Sequence, residues 1–364
     1  MQETKPLTLW QKLSYGLGDF GAAITTNIVS FYLLFFLTNI ARLPPTKAGL
    51  VLLVGKLWDG INDPIIGLLS DKTRSSLGRR LPWMLYTAVP LGISFFLLWL
   101  VPKGGENLLF AYYVLAALLF NTFYTTVNLP YAALTAELTD DYHERTALTG
   151  FRFTFSISGS ILSLVIALAV FKALSNRSDS CQEALPYTTL GGIIAILCVI
   201  ATLGCIGGIK QRVEEQARVQ GEVRASQISL WEQLKVVFSN VPFLYVIGIY
   251  FCCWLALQIT ASIIPYYVTN WMGLDNANFT QVMLAVQGTA LLMLFVWSKL
   301  SQRFGKRGVI FMGVPLWLVA QIGLYLLQPG QIVGMYFLAI VAGCGLSTAY
   351  LIPWSMVPDV TDLD

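Results

Sequence analysis

Residues 56–64 read Lys56-Leu57-Trp58-Asp59-Gly60-Ile61-Asn62-Asp63-Pro64 and lie inside an apolar stretch that runs from 47 to 70. Three charges in so short a run ordinarily mark a solvated surface. Here the flanks are Leu, Val and Ile on both sides, the pattern of a helix set in hydrocarbon. Each ionisable group at such depth costs at least roughly 2.5–3.5 kcal/mol on insertion scales, so charges that persist there face a bundle interior. The spacing i, i+3 and i+7 meets that demand, because it projects Lys56, Asp59 and Asp63 from one helical face. The stretch predicts a bundle of membrane helices with a polar inside.

The rest of the chain agrees. Of 364 residues, 56% are apolar and only 12% are Asp, Glu, Lys or Arg, against about 25% charged residues in soluble domains. Mean hydropathy is +0.66. A soluble globule could not cover its surface with so few charges, and disordered, collagen-like and disulfide-scaffold classes are excluded as well. Ten apolar spans are legible, at 15–40, 47–70, 83–101, 107–130, 149–174, 187–209, 243–270, 280–300, 308–328 and 331–356. Each can cross about 30 Å of hydrocarbon as a helix, and no alternating strand pattern suggests a barrel. The first span lacks a small-residue cleavage site and reads as a retained helix.

With the N-terminus in the cytoplasm, 17 of the 23 Lys and Arg fall on the cytoplasmic side, five fall outside and Lys56 lies within a span. That asymmetry satisfies the positive-inside rule, so the net charge of +3 reflects topology rather than nucleic-acid binding. A multi-pass protein of the plasma (inner) membrane, acting as a monomer, is expected. Of the six cysteines only Cys181 lies outside the spans, so no disulfide framework is implied. The single histidine, His143, argues against haem or histidine-ligated metal.

The longest polar segment, 210–242, divides the chain into an N-terminal six-helix half (1–209) and a C-terminal half (243–364). It reads as a cytoplasmic linker with an amphipathic run at 230–237. The halves repeat one another. Thr38-Asn39 matches Thr269-Asn270, Gly78-Arg79-Arg80 matches Gly305-Lys306-Arg307, and Leu129-Pro130-Tyr131 matches Ile352-Pro353-Trp354, at offsets of 231, 227 and 223. Parallel repeats of this kind belong to transporters whose halves rock about a central site. The second half has only four spans, so ten of an expected twelve helices are present and a truncated C-terminal half is expected.

Lys56, Asp59 and Asp63 sum to −1, which suits a small cation held by carboxylate oxygens, with the Asn62 amide nearby. Pro64 frees a backbone carbonyl near Gly60 as a further oxygen. Two readings stand beside this one: Lys56 neutralises Asp59 and pins helices together, or the two acids share a proton. No cofactor is implied beyond Na+ or H+ as coupling ion. Asp19 sits among Gly16, Gly18 and Gly21, where it faces a cavity or lies near the cytoplasmic mouth. Asn121, Thr122, Thr125, Thr126 and Asn128 form a polar stretch suited to ligand contact or to interhelical hydrogen bonds. Arg152 reaches down a cavity or snorkels to the interface.

Asp71 with Arg79 and Arg80 reads as a latch at the cytoplasmic face, and Lys56 is grouped with them as a gating candidate. Glu137, Asp140, Asp141, Glu144 and Arg145 are the expected partners, with Asp359 and Asp362 repeating the theme. Tyr15, Tyr32, Tyr124, Tyr131, Trp58, Trp254, Tyr266 and Tyr267 have the shape to stack on a sugar ring, but most are expected to anchor at the membrane interface. No clustered His, Cys or serine-nucleophile motif suggests an enzyme.

Lys12-Leu13-Ser14-Tyr15-Gly16, Trp58-Asp59-Gly60-Ile61-Asn62-Asp63-Pro64, Gly78-Arg79-Arg80-Leu81-Pro82-Trp83, Pro130-Tyr131 and Val357-Pro358-Asp359-Val360 together resemble the glycoside–pentoside–hexuronide:cation symporters. That is the melibiose-permease branch of the major facilitator superfamily, which includes sodium-dependent lysolipid transporters. The resemblance implies an all-α, twelve-helix, two-half fold with a sodium, lithium or proton site. It places Asp59, Asp63, Asn62 and Thr125 on the cation positions, with Asp59 and Asp63 as the metal ligands. It also aligns Arg152 with the substrate-side arginine of helix 5. The sugar transporters' carboxylates on helices 1 and 4 align with Ala23 and Asn128, and a tryptophan aligns with Ala132, which speaks against a galactoside. The expected function is a cation-coupled symporter of a sugar or related small solute, with Asn128, Arg152, Asp19 and Tyr131 on the solute. The alternatives are a sodium-dependent lysolipid carrier and a non-transporting remnant.

Overall fold

The computed structural model describes residues 7–139, 141–174, 183–219 and 241–361, and all its elements there are helical. Expectations about Asp140, Cys181, Asp362 and the 230–237 run lie outside the described residues, as do those about the side chains of Arg145, Lys306, Arg307 and Asp359. The chain divides into two compact units, Met1–Ala225 and Ser226–Asp364.

Unit 1 holds α1 (Leu9–Ile28), α2 (Pro45–Lys72), α3 (Leu81–Leu97), α4 (Glu106–Leu138), α5 (Tyr142–Leu174) and α6 (Leu185–Val219). Helix α1 starts in a capping box: Gln11 N–H donates to Thr8 Oγ1, and Thr8 N–H donates to Gln11 Oε1. It continues through two π-turns, Val29–Leu33 and Phe36–Ile40. Prolines open α2 and α3 at their first turns, where the missing N–H is no loss. Gly78, at φ 79°, provides the left-handed backbone that turns the chain between them.

The helices run up and down. At one end, Leu7, Tyr15, Leu81, Met84, Tyr131, Leu134, Leu148 and Ile206 pack into one cluster from the starts of α1, α3 and α5 and the ends of α4 and α6. At the other end, Phe36, Trp99, Tyr113 and Tyr187 form an aromatic knot. Trp99 lies flat against Gly191 of α6, where an added Cβ would come within 2.5 Å of the indole. Gly191→Ala is expected to cost about 1–3 kcal/mol through overpacking, read as a lower unfolding midpoint in detergent. On the outside, Ile196 and Ile200 of α6 are 62% and 61% exposed, as side chains that meet acyl chains should be.

Unit 2 holds α7 (Val241–Tyr266) with a π-turn at Tyr267–Trp271, α8 (Asn276–Leu326) and α9 (Ile332–Thr361). Helix α8 is two spans joined across Gly305, whose φ of 73° breaks the helix. The repeated motifs carry repeated geometry. Thr38 Oγ1 and Thr269 Oγ1 each bond the carbonyl four residues back and the next asparagine's Oδ1. Positive φ follows at Arg42 and Gly273, again 231 apart, and the Gly78 and Gly305 turns match as well.

Each of the ten apolar spans read from the sequence lies on a helical segment. Among the described residues, six helices are long and apolar enough to cross a membrane by length and composition alone. The π-turns interrupt α1, and Lys56, Asp59 and Asp63 lower the apolar content of α2.

Candidate functional site

The charged stripe of α2 borders α4, because Val51, Gly55, Asn62 and Ile66 form the buried face of α2 and α2 packs on α4. Thr125 Oγ1 donates to Asp63 Oδ1 at 2.8 Å, and Trp58 Nε1 donates to Thr122 Oγ1 at 2.8 Å. Asp59 Oδ2 accepts from Lys56 Nζ at 3.1 Å, while Asp59 Oδ1 is buried without a hydrogen-bond partner. One turn on, Asn62 is 4% exposed and its Nδ2 is likewise unpartnered. Among the described residues no basic side chain lies within ion-pair distance of Asp63.

A buried polar atom without a partner is costly, and here two of them stand one turn apart on α2. An acceptor-only carboxylate oxygen left bare beside a second carboxylate, a hydroxyl and a carboxamide suits a small cation. Rotating the Asn62 carboxamide by half a turn exchanges N for O at little change in shape and adds another oxygen. Among the described residues no group of three or more His, Cys, Asp or Glu is placed to hold a metal.

The second cluster joins α1, α4 and α5. Arg152 Nη2 lies 3.4 Å from Asp19 Oδ1, with side chains 27% and 14% exposed, and its guanidinium stands 5.1 Å over the Tyr131 ring. Tyr131 in turn stacks on Tyr15 at 4.9 Å and donates to the Tyr15 carbonyl. Gly18 leaves room for the Tyr131 ring, which a Cβ there would strike. Arg152 is therefore held by an ion pair and a cation–π contact, and does not snorkel. Asp19 faces the same cluster.

Asn128 Nδ2 donates to the Tyr124 hydroxyl at 3.4 Å. Tyr124 also packs on Phe120, with ring centroids 5.8 Å apart. Sequence reasoning gave Tyr124 no special place among the aromatics. Its position directly before Thr125 in the polar stretch is the available signal.

The expectation that most of these aromatics anchor at the interface fails for Tyr15 and Tyr32. They are 0% and 1% exposed and pack on other rings inside unit 1. Their partners come from other helices, which linear spacing does not reveal.

The gating candidates also converge within unit 1. Glu137 Oε1 accepts from Arg79 Nη2 and Arg80 Nε, each at 2.6 Å, and Arg80 Nη2 donates to Asp71 at 2.8 Å. This network ties the end of α4 to the α2–α3 turn. Glu144 pairs elsewhere: it accepts from Leu7 N–H and Thr139 Oγ1 and lies 3.8 Å from Lys12. Asp141 caps Glu144 N–H, so neither acid serves the arginines in this arrangement. Lys56 stands apart from the network, on Asp59. Glu137→Gln would leave two guanidiniums with a neutral partner. It is expected to cost about 1–3 kcal/mol, measurable as a lower unfolding midpoint.

In unit 2 a cleft of about 1090 Å³ lies between α7 and the second part of α8, lined by Ile259, Ile263, Tyr267, Trp317 and Gln321 among others. The matching walls in unit 1, α1 and α3, are covered by α6.

Residues 14–364 match the family described as MFS/sugar transport protein. An uncharacterized symporter of Synechocystis sp. is 44% identical over 425 residues, covering 97% of this chain and 78% of the relative. The Homo sapiens sodium-dependent lysophosphatidylcholine symporter 1 is 27% identical over 396 residues, covering 99% and 72%. In fold, the crystal structure of the nucleoside transporter NupG gives a TM-score of 0.68 at 14% identity, covering 97% of this chain and 84% of that one. The inward-open xylose transporter XylE from E. coli gives 0.60 at 14% identity, covering 96% and 81%. The expectation of a multi-pass membrane transporter, and not an enzyme, holds. With its all-α repeat and the extent of the match, the chain belongs to the MFS/sugar transport protein family.

Proposed function

We propose that the protein is a cation-coupled symporter in which Asp59, Asp63, Asn62 and Thr125 bind Na+ or H+. Arg152, Asp19, Tyr131 and Asn128 contact a sugar or related small organic solute. The observation that carries this reading is the bare, buried Asp59 Oδ1 beside the Asp63–Thr125 bond. Helix α4 carries Thr125 of the first cluster and Tyr131 of the second, which gives the two a shared element, and a symporter needs coupling between its ligands. The halves alternate in opening, the Asp71–Arg80–Glu137–Arg79 network stiffens the cytoplasmic end of unit 1, and the N-terminus lies in the cytoplasm of a plasma-membrane protein.

A second reading is a sodium-dependent lysolipid symporter. It is favoured by the lysophosphatidylcholine symporters that align with nearly the whole chain. On that reading Arg152 meets a phosphate. Uptake into proteoliposomes, with imposed Na+ or H+ gradients and sugars or lysolipids as solutes, separates the two. Gradient-driven sugar uptake supports the first and lysolipid uptake the second. Uptake of either that ignores both gradients removes the coupling.

A further inference from the structure

We propose that Lys56 is a tethered competitor for the coupling ion. Its ammonium holds one oxygen of Asp59 in the cation-free site and yields when a small monovalent cation enters, so Lys56 sets the affinity of that site. The inference rests on the cation-site reading above and assigns Lys56 a role inside it.

The two oxygens of Asp59 live in different surroundings. Oδ2 meets Lys56 Nζ at 3.1 Å, from a lysine side chain that is 72% exposed. Oδ1 is buried and bare. The ammonium thus lies outside the packed interior of unit 1, held by one bond to an acid of its own helix, which is a weak arrangement. The order lysine-then-acid along a helix is also the less favourable one. Were Lys56 a structural pin, it would be buried with the acid it neutralises and would tie one helix to another. Instead both partners belong to α2, three residues apart.

Charge completes the case. Lys56, Asp59 and Asp63 sum to −1, so one monovalent ion brings the group to neutrality while the lysine stays close. Without Lys56 the site carries −2 and attracts the same ion more strongly. The lysine thus weakens binding, as release of the ion on the far side of each cycle requires.

Binding of 22Na+ to the purified full chain tests this, with Li+ as competing probe. Lys56→Gln and Lys56→Met are expected to bind Na+ roughly 10-fold more tightly than wild type, while Lys56→Arg stays near wild type. In the Asp59→Asn background, Lys56→Gln should add little, because the shared oxygen pair is gone. The exposure of Lys56 makes misfolding an improbable source of any change, and the cation-free unfolding midpoint checks it. Wild-type or weaker affinity in both Lys56→Gln and Lys56→Met overturns the proposal while leaving the site reading intact. Failure of wild type to bind Na+ overturns the competitor proposal and leaves only the H+ form of the site reading, whereas undiminished Na+ binding in Asp63→Asn overturns the site reading itself.

Discussion

Asp63→Asn is expected to abolish cation-driven uptake while leaving the fold in place. The side chain accepts one bond, from Thr125 Oγ1, and an asparagine oxygen accepts that bond equally well. What the substitution removes is charge. A unit charge about 4 Å away is worth roughly 4 kcal/mol at an effective dielectric of about 20. Even after the cost of stripping water from the ion, apparent cation affinity should fall by about 100-fold or more. Asp59→Asn should act in the same direction and free Lys56 from its ion pair. The measurements are Na+- and H+-dependence of uptake, with the unfolding midpoint as control. Unchanged cation stimulation in Asp63→Asn would remove the site from α2.

The second large effect is expected at Arg152. Arg152→Gln strips the ion-pair partner from Asp19, which is only 14% exposed, and removes the cation from the Tyr131 face. Leaving a carboxylate so enclosed without its partner should cost about 2–4 kcal/mol. The double variant Asp19→Asn with Arg152→Gln removes both charges and should recover much of that stability. Uptake should be lost in both proteins, because on the proposed reading the guanidinium is the group offered to the solute. Thermal unfolding and proteoliposome uptake, run on the same preparations, separate the two consequences. Recovery of uptake in the double variant would reduce Arg152 to a structural role.

The membrane class, the two-half repeat and the α2 cluster were all legible in the linear chain. They depend on composition and on spacings within one helix, and helical periodicity converts such spacings directly into faces. The Thr38-Asn39 and Thr269-Asn270 motifs even repeat their side-chain bonds, since those bonds are local. Tyr15 and Tyr32 depart from the anchor expectation because an exposed anchor and a buried stacking partner look alike in sequence. Tyr15 and Tyr131 are 116 residues apart, and nothing local brings them together. The acid cluster after α4 was likewise resolved only in three dimensions. Glu137 projects onto the arginines from the last turn of α4, whereas Glu144 begins α5 and reaches the chain start.

By itself the sequence determined that the chain is an all-helical multi-pass membrane protein and that α2 brings two acids and a base to one stripe, because so apolar a chain without an alternating strand pattern must satisfy its backbone within helices. Only the tertiary structure decided that Asp59 keeps one bare oxygen, that Thr125 serves Asp63, and that Arg152 is shared between Asp19 and Tyr131. Those outcomes turn on which helices pack together and at what height. Such contacts join residues far apart in the chain, and no periodicity within a single helix encodes them.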